Sequence, residues 1–140
     1  MKTLYFVNSQ GEYLGGYSAG NSAIPAGAIE VSSAPEHAED KFTNEVWAPD
    51  FARVSAAFEA AVQSELDADA VAKGYDNILS ACSYASSPNP FQNEGKLFVT
   101  RRGNAWAYCY AELAKVQNGS RPMPTIEQII EELPPRVSAL

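Results

Sequence analysis

Residues 50–74 read DFARVSAAFEAAVQSELDADAVAKG. Phe51, Val54, Phe58, Val62 and Leu66 recur at intervals of three and four, which places them on one face of an α-helix. Eight alanines between Ala52 and Ala72 add helix propensity, and Gly74 is a C-terminal stop. The pattern predicts a helix from Pro49 or Asp50 to about Lys73. That helix divides the chain. Five of the nine glycines fall in the first 50 residues, a density that opposes long helices. Downstream, the helical spacing continues. The fold class that follows is α+β: a small N-terminal antiparallel β module with an acidic connector (residues 1–48), then a mainly α-helical domain of about four helices (residues 49–140).

Within the N-terminal part, Leu4-Tyr5-Phe6-Val7 suits a strand and Asn8-Ser9-Gln10-Gly11 a turn. Glu12 to Tyr17 returns as the second strand of a hairpin. Ala28-Ile29-Glu30-Val31 is a short third strand. Ser32 to Asn44 is polar and reads as a connector, with Val46-Trp47 an apolar anchor after it. Three short strands bury little surface, so this piece is expected either to pack on the helices or to need a partner.

Beyond Gly74, a short helix is expected from Asn77 to about Ala85, with Ile78, Leu79 and Cys82 inward. Asn89 and Pro90 are placed to cap and open a third helix that runs to about Gln117. Phe91, Phe98, Ala105, Cys109, Leu113 and Val116 form its apolar face, with Trp106 and Tyr110 beside it. Gly95 and Gly103 inside it mark a close helix contact or a kink. Thr125 and Gln128 form a capping box before Ile126, Ile129, Ile130 and Leu133, and Pro134-Pro135 ends that last helix.

The charge balance narrows the function classes. Ten Lys/Arg against seventeen Asp/Glu give a net charge of −7, with −5 of it in residues 1–50. Phosphate binding depends on Lys and Arg, so no nucleic-acid partner is expected. No apolar run approaches the roughly 18 residues of a membrane span, and the start of the chain lacks the pattern of a signal peptide.

Candidate chemistry is sparse. His37 is the sole histidine and lies in a polar acidic stretch, where a solvent-exposed loop is the expected setting. Cys82 and Cys109 fall on apolar helix faces and read as buried thiols. Glu65, Asp67 and Asp69 cluster three carboxylates, but lack the glycine of a calcium loop, and read as a solvated helix face. Arg102 and Trp106 are four apart on one helix face, a spacing that allows guanidinium–indole stacking. Tyr5, Tyr13 and Tyr17 are either recognition residues or the core of the β module. No phosphate loop and no nucleophile–base pair assembles. No catalytic residue, cofactor or metal site is therefore expected, and an enzyme is the least expected class.

Two stretches carry a family resemblance. Phe6-Val7-Asn8-Ser9-Gln10-Gly11-Glu12-Tyr13-Leu14-Gly15-Gly16-Tyr17, then Ile24-Pro25-Ala26-Gly27-Ala28-Ile29-Glu30-Val31 and Trp47, resembles the start of tailed-bacteriophage tail-fibre assembly proteins. The patches Ala72 to Tyr84, Phe91 to Gly95, Arg102-x-x-x-Trp106, Gly119 to Thr125 and Glu131 to Pro134 resemble a helical domain at the C-terminus of many phage tail and tail-fibre proteins. Arg101 stands where that pattern often has an aromatic, and Gly103 where it often has an acid, so the helix is expected to be more exposed or more bent there. The resemblance implies a chaperone that binds the distal end of a fibre and helps it trimerise in the host bacterial cytoplasm, some members staying on the virion tail. Its partner is then a fibre or other tail protein, with self-association as an added option. Tyr13, Tyr17 and Trp47 on the β side, and Arg102 and Trp106 on the helical side, are the candidate partner contacts. A structural tail, baseplate or fibre subunit is the alternative, and an acidic phage inhibitor of a host defence the third class.

Overall fold

The computed structural model describes residues 2–37 and 40–140. The chain divides into two compact units, residues 1–54 and 55–140. The fold is α+β, with a small antiparallel β module at the N-terminus followed by four helices.

The first unit holds five strands: β1 (Thr3–Val7), β2 (Tyr13–Ser18), β3 (Ile29–Val31), β4 (Lys41–Thr43) and β5 (Val46–Ala48). β1 lies between β2 and β3, antiparallel to both. Phe6 pairs with Gly15 but Val7 pairs with Tyr13, a one-residue slip that leaves Leu14 unpaired. Gly15 takes φ +125° at that slip, where a side chain is disfavoured. The turn after β1 is built by Asn8, whose side-chain oxygen accepts from the backbone N–H of Gln10 and Glu12, each at 2.9 Å. Gly11 has φ +79° and accepts from Phe42 N at 2.9 Å, so close that an added Cβ would meet Phe42 O. Phe6, Val7 and Val31 form the small core.

The stretch read as a connector is a correction. Its end is β4, which pairs antiparallel with β5 as a second hairpin. The turn residues Asn44 and Glu45 both have positive φ, 52° and 64°. That matches the primed turn of a two-residue hairpin, usually signalled by Asn-Gly. Glu45 hides the signal, and three-residue strands show no periodicity.

α1 (Phe51–Ala72) begins where the spacing predicts. Asp50 caps it, its side chain accepting from Ala52 N at 3.3 Å. In the second unit Phe58, Val62, Leu66 and Ala70 form its buried face. Gly74 ends the segment at φ +95°. α2 (Ile78–Ser83) is capped by Asn77, whose side chain accepts from Ser80 N at 2.8 Å, and continues as a 3-10 turn over Tyr84–Ser86. Ile78 and Ala81 are buried, while Leu79 is 58% exposed, against expectation. In so short a helix positions 78, 81 and 82 share the inner face, and 79 is turned away.

α3 (Gln92–Gln117) runs unbroken through both glycines. Asn89 caps the turn before it, accepting from Phe91 N at 2.7 Å, so the helix starts two residues later than Pro90 predicts. Phe91 is consequently outside the helix and half exposed. Gly95 packs on the α2 end: a Cβ there would lie 2.9 Å from Ala85 N and 3.1 Å from Ala81 O. Gly103 faces open space, with nothing within 4 Å. Phe98, Ala105, Cys109 and Leu113 supply the buried face. The loop after Gly119 is held by Arg121, which donates to Glu112 at 2.7 Å and to Glu132 at 2.8 Å. α4 (Ile126–Glu132) carries the full capping box of Thr125 and Gln128. Leu133 ends it, and a 3-10 turn over Val137–Ala139 closes the chain. No helix among the described residues is long and apolar enough to cross a membrane.

Candidate functional site

On the β side, Tyr13 and Trp47 come together. Tyr13 leaves the start of β2 and Trp47 the centre of β5, and their rings meet edge-to-face with centroids 5.8 Å apart. Phe42 of β4 packs on Trp47 at 5.2 Å. Sequence reasoning missed Phe42 because it lies in the strand read as connector. Trp47 Nε1 donates to Ser33 O at 3.0 Å, which fixes the indole plane. All three rings are half-buried. Tyr17 is elsewhere on β2, edge-on to Phe6 at 5.9 Å, so it belongs with the small core. The outer edge of β2 meets β4 at its Tyr13 end, where Glu12 bridges Lys41 and Gly11 O accepts from Phe42 N, while the rest of that edge and the outer edge of β3 have no strand neighbour among the described residues. The open parts of these edges suit the addition of a partner's strand.

On the helical side, Arg102 is exposed and Trp106 half-buried. The ring partner of Trp106 is Tyr110, stacked at 5.7 Å and 24°. The expected Arg102–Trp106 pairing is thus replaced by an aromatic stack one turn further along. Tyr110 is itself 52% exposed, so the stack is a surface feature. Trp106→Ala is expected to cost only ~1 kcal/mol, because little of the removed area is core. Urea unfolding followed by circular dichroism checks this; a loss comparable to that of a buried aromatic would make Trp106 a core residue instead.

The three clustered carboxylates are not a solvated face. Asp69 is fully buried, and its Oδ2 lies 3.2 Å from Nη1 of Arg101, itself 4% exposed. Asp69 also accepts from Val137 N at 2.9 Å and Ser138 N at 2.8 Å. Glu65 accepts two hydrogen bonds from Arg136, at 2.6 and 2.7 Å. Asp67 accepts from Ile78 N at 3.0 Å and from Gln63. Arg101 completes the cluster through Nε, which donates to Pro134 O and Pro135 O. Every carboxylate here ties a distant segment to α1. Glu65 and Asp69 are four apart and share one side of α1, but their partners lie far along the chain and leave no local pattern.

Several groups are perturbed by these contacts. The Arg136 hydrogen bond holds Glu65 below the usual carboxylate range, against the opposing effect of burial. Hydrogen bonds from Tyr75 and then Lys73 lower Glu94, from Lys115 and Arg121 lower Glu112, and from Arg121 lower Glu132. Burial, with the hydrogen bond to Glu94, pushes Tyr75 up to about 12. A carboxylate whose folded pKa is depressed stabilises the fold above its unfolded pKa and loses that contribution as pH falls through the folded value. The melting temperature is therefore expected to hold from neutrality to about pH 5 and to fall progressively below about pH 4. Glu65→Gln should remove its share of that slope, and a melting temperature independent of pH down to about pH 2 would contradict it.

His37 is exposed, as its composition predicts. Cys82 and Cys109 are free; Cys109 is buried and Cys82 half-buried, and burial raises both thiols, which disfavours the reactive thiolate. Lys73, Gly74, Tyr75, Tyr84 and Phe91 line a shallow depression of about 190 Å³. Among the described residues no group of three or more His, Cys, Asp or Glu side chains is placed to hold a metal ion.

The fold and site define an α+β protein with an aromatic hairpin cluster and a helical unit closed by buried ion pairs. Comparison with protein-family models, curated proteins and solved structures yields no match to this chain.

Proposed function

We propose that the chain is a tailed-phage tail-fibre assembly chaperone or fibre-tip accessory protein that acts by protein–protein binding in the host cytoplasm during assembly. The observation that carries this reading is the Tyr13–Trp47 cluster. Two of the three β-side residues that the resemblance selects, Tyr13 and Trp47, come from separate stretches and pack edge-to-face, and the sheet that carries Tyr13 keeps an open edge at β3 among the described residues. Half-exposed Tyr and Trp supply large contact area at small conformational cost. The task needs a recognition surface and assigns no residue to catalysis.

The test is co-expression with the fibre protein encoded beside this chain, followed by co-purification. The intact chain is expected to co-purify. Trp47→Ala should remain folded and weaken the complex by at least about tenfold, the loss typical of an aromatic anchor. Full retention of the complex by a Tyr13→Ala/Trp47→Ala double variant would remove this cluster from the interface.

A further inference from the structure

The outward face of α3 has an unusual charge pattern for a chain of net charge −7. α3 contains two acids, and neither is on that face. Glu94 is engaged by Tyr75 at 2.7 Å and Lys73 at 3.2 Å, and Glu112 is buried against Lys115 and Arg121. Lys96 and Arg102 are exposed, and among the described residues neither takes part in an ion pair. Val99, Gly103, Trp106 and Tyr110 follow at i, i+4, i+7 and i+11, one stripe of the helix. Val99 is 47% exposed, and Gly103 has no neighbour within 4 Å. A solvent-facing helix surface is ordinarily charged and mixed in sign. Here the stripe itself is apolar, the charged residues beside it are positive only, with Thr100 and Asn104 as uncharged polar neighbours, and at its centre stands a glycine with no neighbour within 4 Å.

We infer that this face of α3 docks an acidic amphipathic helix of a partner protein, crossing near Gly103. The inference deepens the binding role proposed above and rests on it. Charge complementarity selects the occupant. Lys96 and Arg102 attract carboxylates that flank the partner's apolar stripe, while the net negative charge of the chain repels such a helix in general, favouring this face. A glycine lets two helix backbones approach closely at the crossing. The stacked Trp106–Tyr110 pair offers a flat apolar wall beside it. A second copy of this chain fits less well. Antiparallel pairing at Gly103 would set Arg102 of each copy within one residue of the crossing, like charge near like charge.

The probe is a monomeric three-heptad peptide with leucine on one stripe and glutamate on both flanks, and a twin with lysine in place of glutamate. Fluorescence anisotropy with the full chain should show the acidic peptide bound at least about tenfold more tightly than the basic one, and more weakly at high salt. Lys96→Glu/Arg102→Glu should abolish that preference, and Gly103→Leu should weaken binding, with unchanged circular dichroism in both. Equal binding of the two peptides, no binding of either, or full binding by either variant would overturn the inference. So would a dimer in light scattering that Gly103→Leu dissociates, which assigns the face to a second copy. Loss of the fibre complex with the peptide preference intact would instead count against the fibre reading alone.

Discussion

Asp69→Ala is expected to cost about 3–5 kcal/mol, the usual loss when one partner of a buried ion pair is removed. Arg101 would keep only Glu65, 3.5 Å from its other guanidinium nitrogen, and the carbonyls of Pro134 and Pro135. The N–H groups of Val137 and Ser138 would lose their acceptors at the same time. A small domain has only about 5–15 kcal/mol in total, so the variant should be close to unfolding at physiological temperature. Asp69→Asn should fall between, since the amide oxygen still accepts a backbone hydrogen bond. Asp69→Ala/Arg101→Met should recover part of the loss, because an apolar pair leaves no buried charge. Urea unfolding measures all three. A cost below about 1 kcal/mol for Asp69→Ala would mean that the cluster is solvated after all.

Gly95→Ala should destabilise, and Gly103→Ala should stabilise. The two glycines lie in the same helix, so propensity alone favours alanine at both by about 1 kcal/mol. At Gly95 the added methyl meets backbone: Ala85 N at 2.9 Å, Ala81 O and Tyr84 C at 3.1 Å. Backbone cannot rotate aside as a side chain can, so the α2 end must shift, at about 1–3 kcal/mol. The larger Gly95→Leu should exceed that range. At Gly103 the methyl meets nothing and the propensity gain stands. The alanine variants should differ by roughly 1–3 kcal/mol in unfolding free energy, with Gly103→Ala the more stable. The reverse order would place the helix contact at the wrong glycine.

What the sequence reveals here is what local physics controls. The α1 face, the Thr125–Gln128 box and the glycine stop at Gly74 are all written within a turn or two of the residues they govern. The β4–β5 hairpin is hidden because Asn44-Glu45 adopts a turn usually marked by glycine. Leu79 stays exposed because a six-residue helix turns few positions to its core, and 78 and 81 take them. The buried cluster is the deepest gap. Arg136 and Glu65 are 71 positions apart, and Val137 and Asp69 are 68 apart. Charge in an amphipathic pattern reads as surface, and only tertiary structure shows the cation that buries it. For the candidate site, Tyr13, Trp47, Arg102 and Trp106 were legible as residues. Tyr110 already stands beside Trp106 in the helical spacing, whereas Phe42, the neighbour of Trp47, follows only from packing.

The acid sensitivity set by Glu65, the buried cluster and the aromatic surfaces describe one division of labour. Ion pairs and hydrogen bonds fasten Arg136, Val137 and Ser138 to α1, and Tyr13, Trp47, Trp106 and Tyr110 stay partly exposed. The proposed role uses the second set and depends on the first for a rigid framework. The most direct test is the mass of the neighbouring fibre protein, by size-exclusion chromatography with light scattering, expressed with and without this chain. The account predicts a fibre that is trimeric only when the chain is present, with the chain bound in the complex. A fibre that trimerises alone and forms no complex would contradict it.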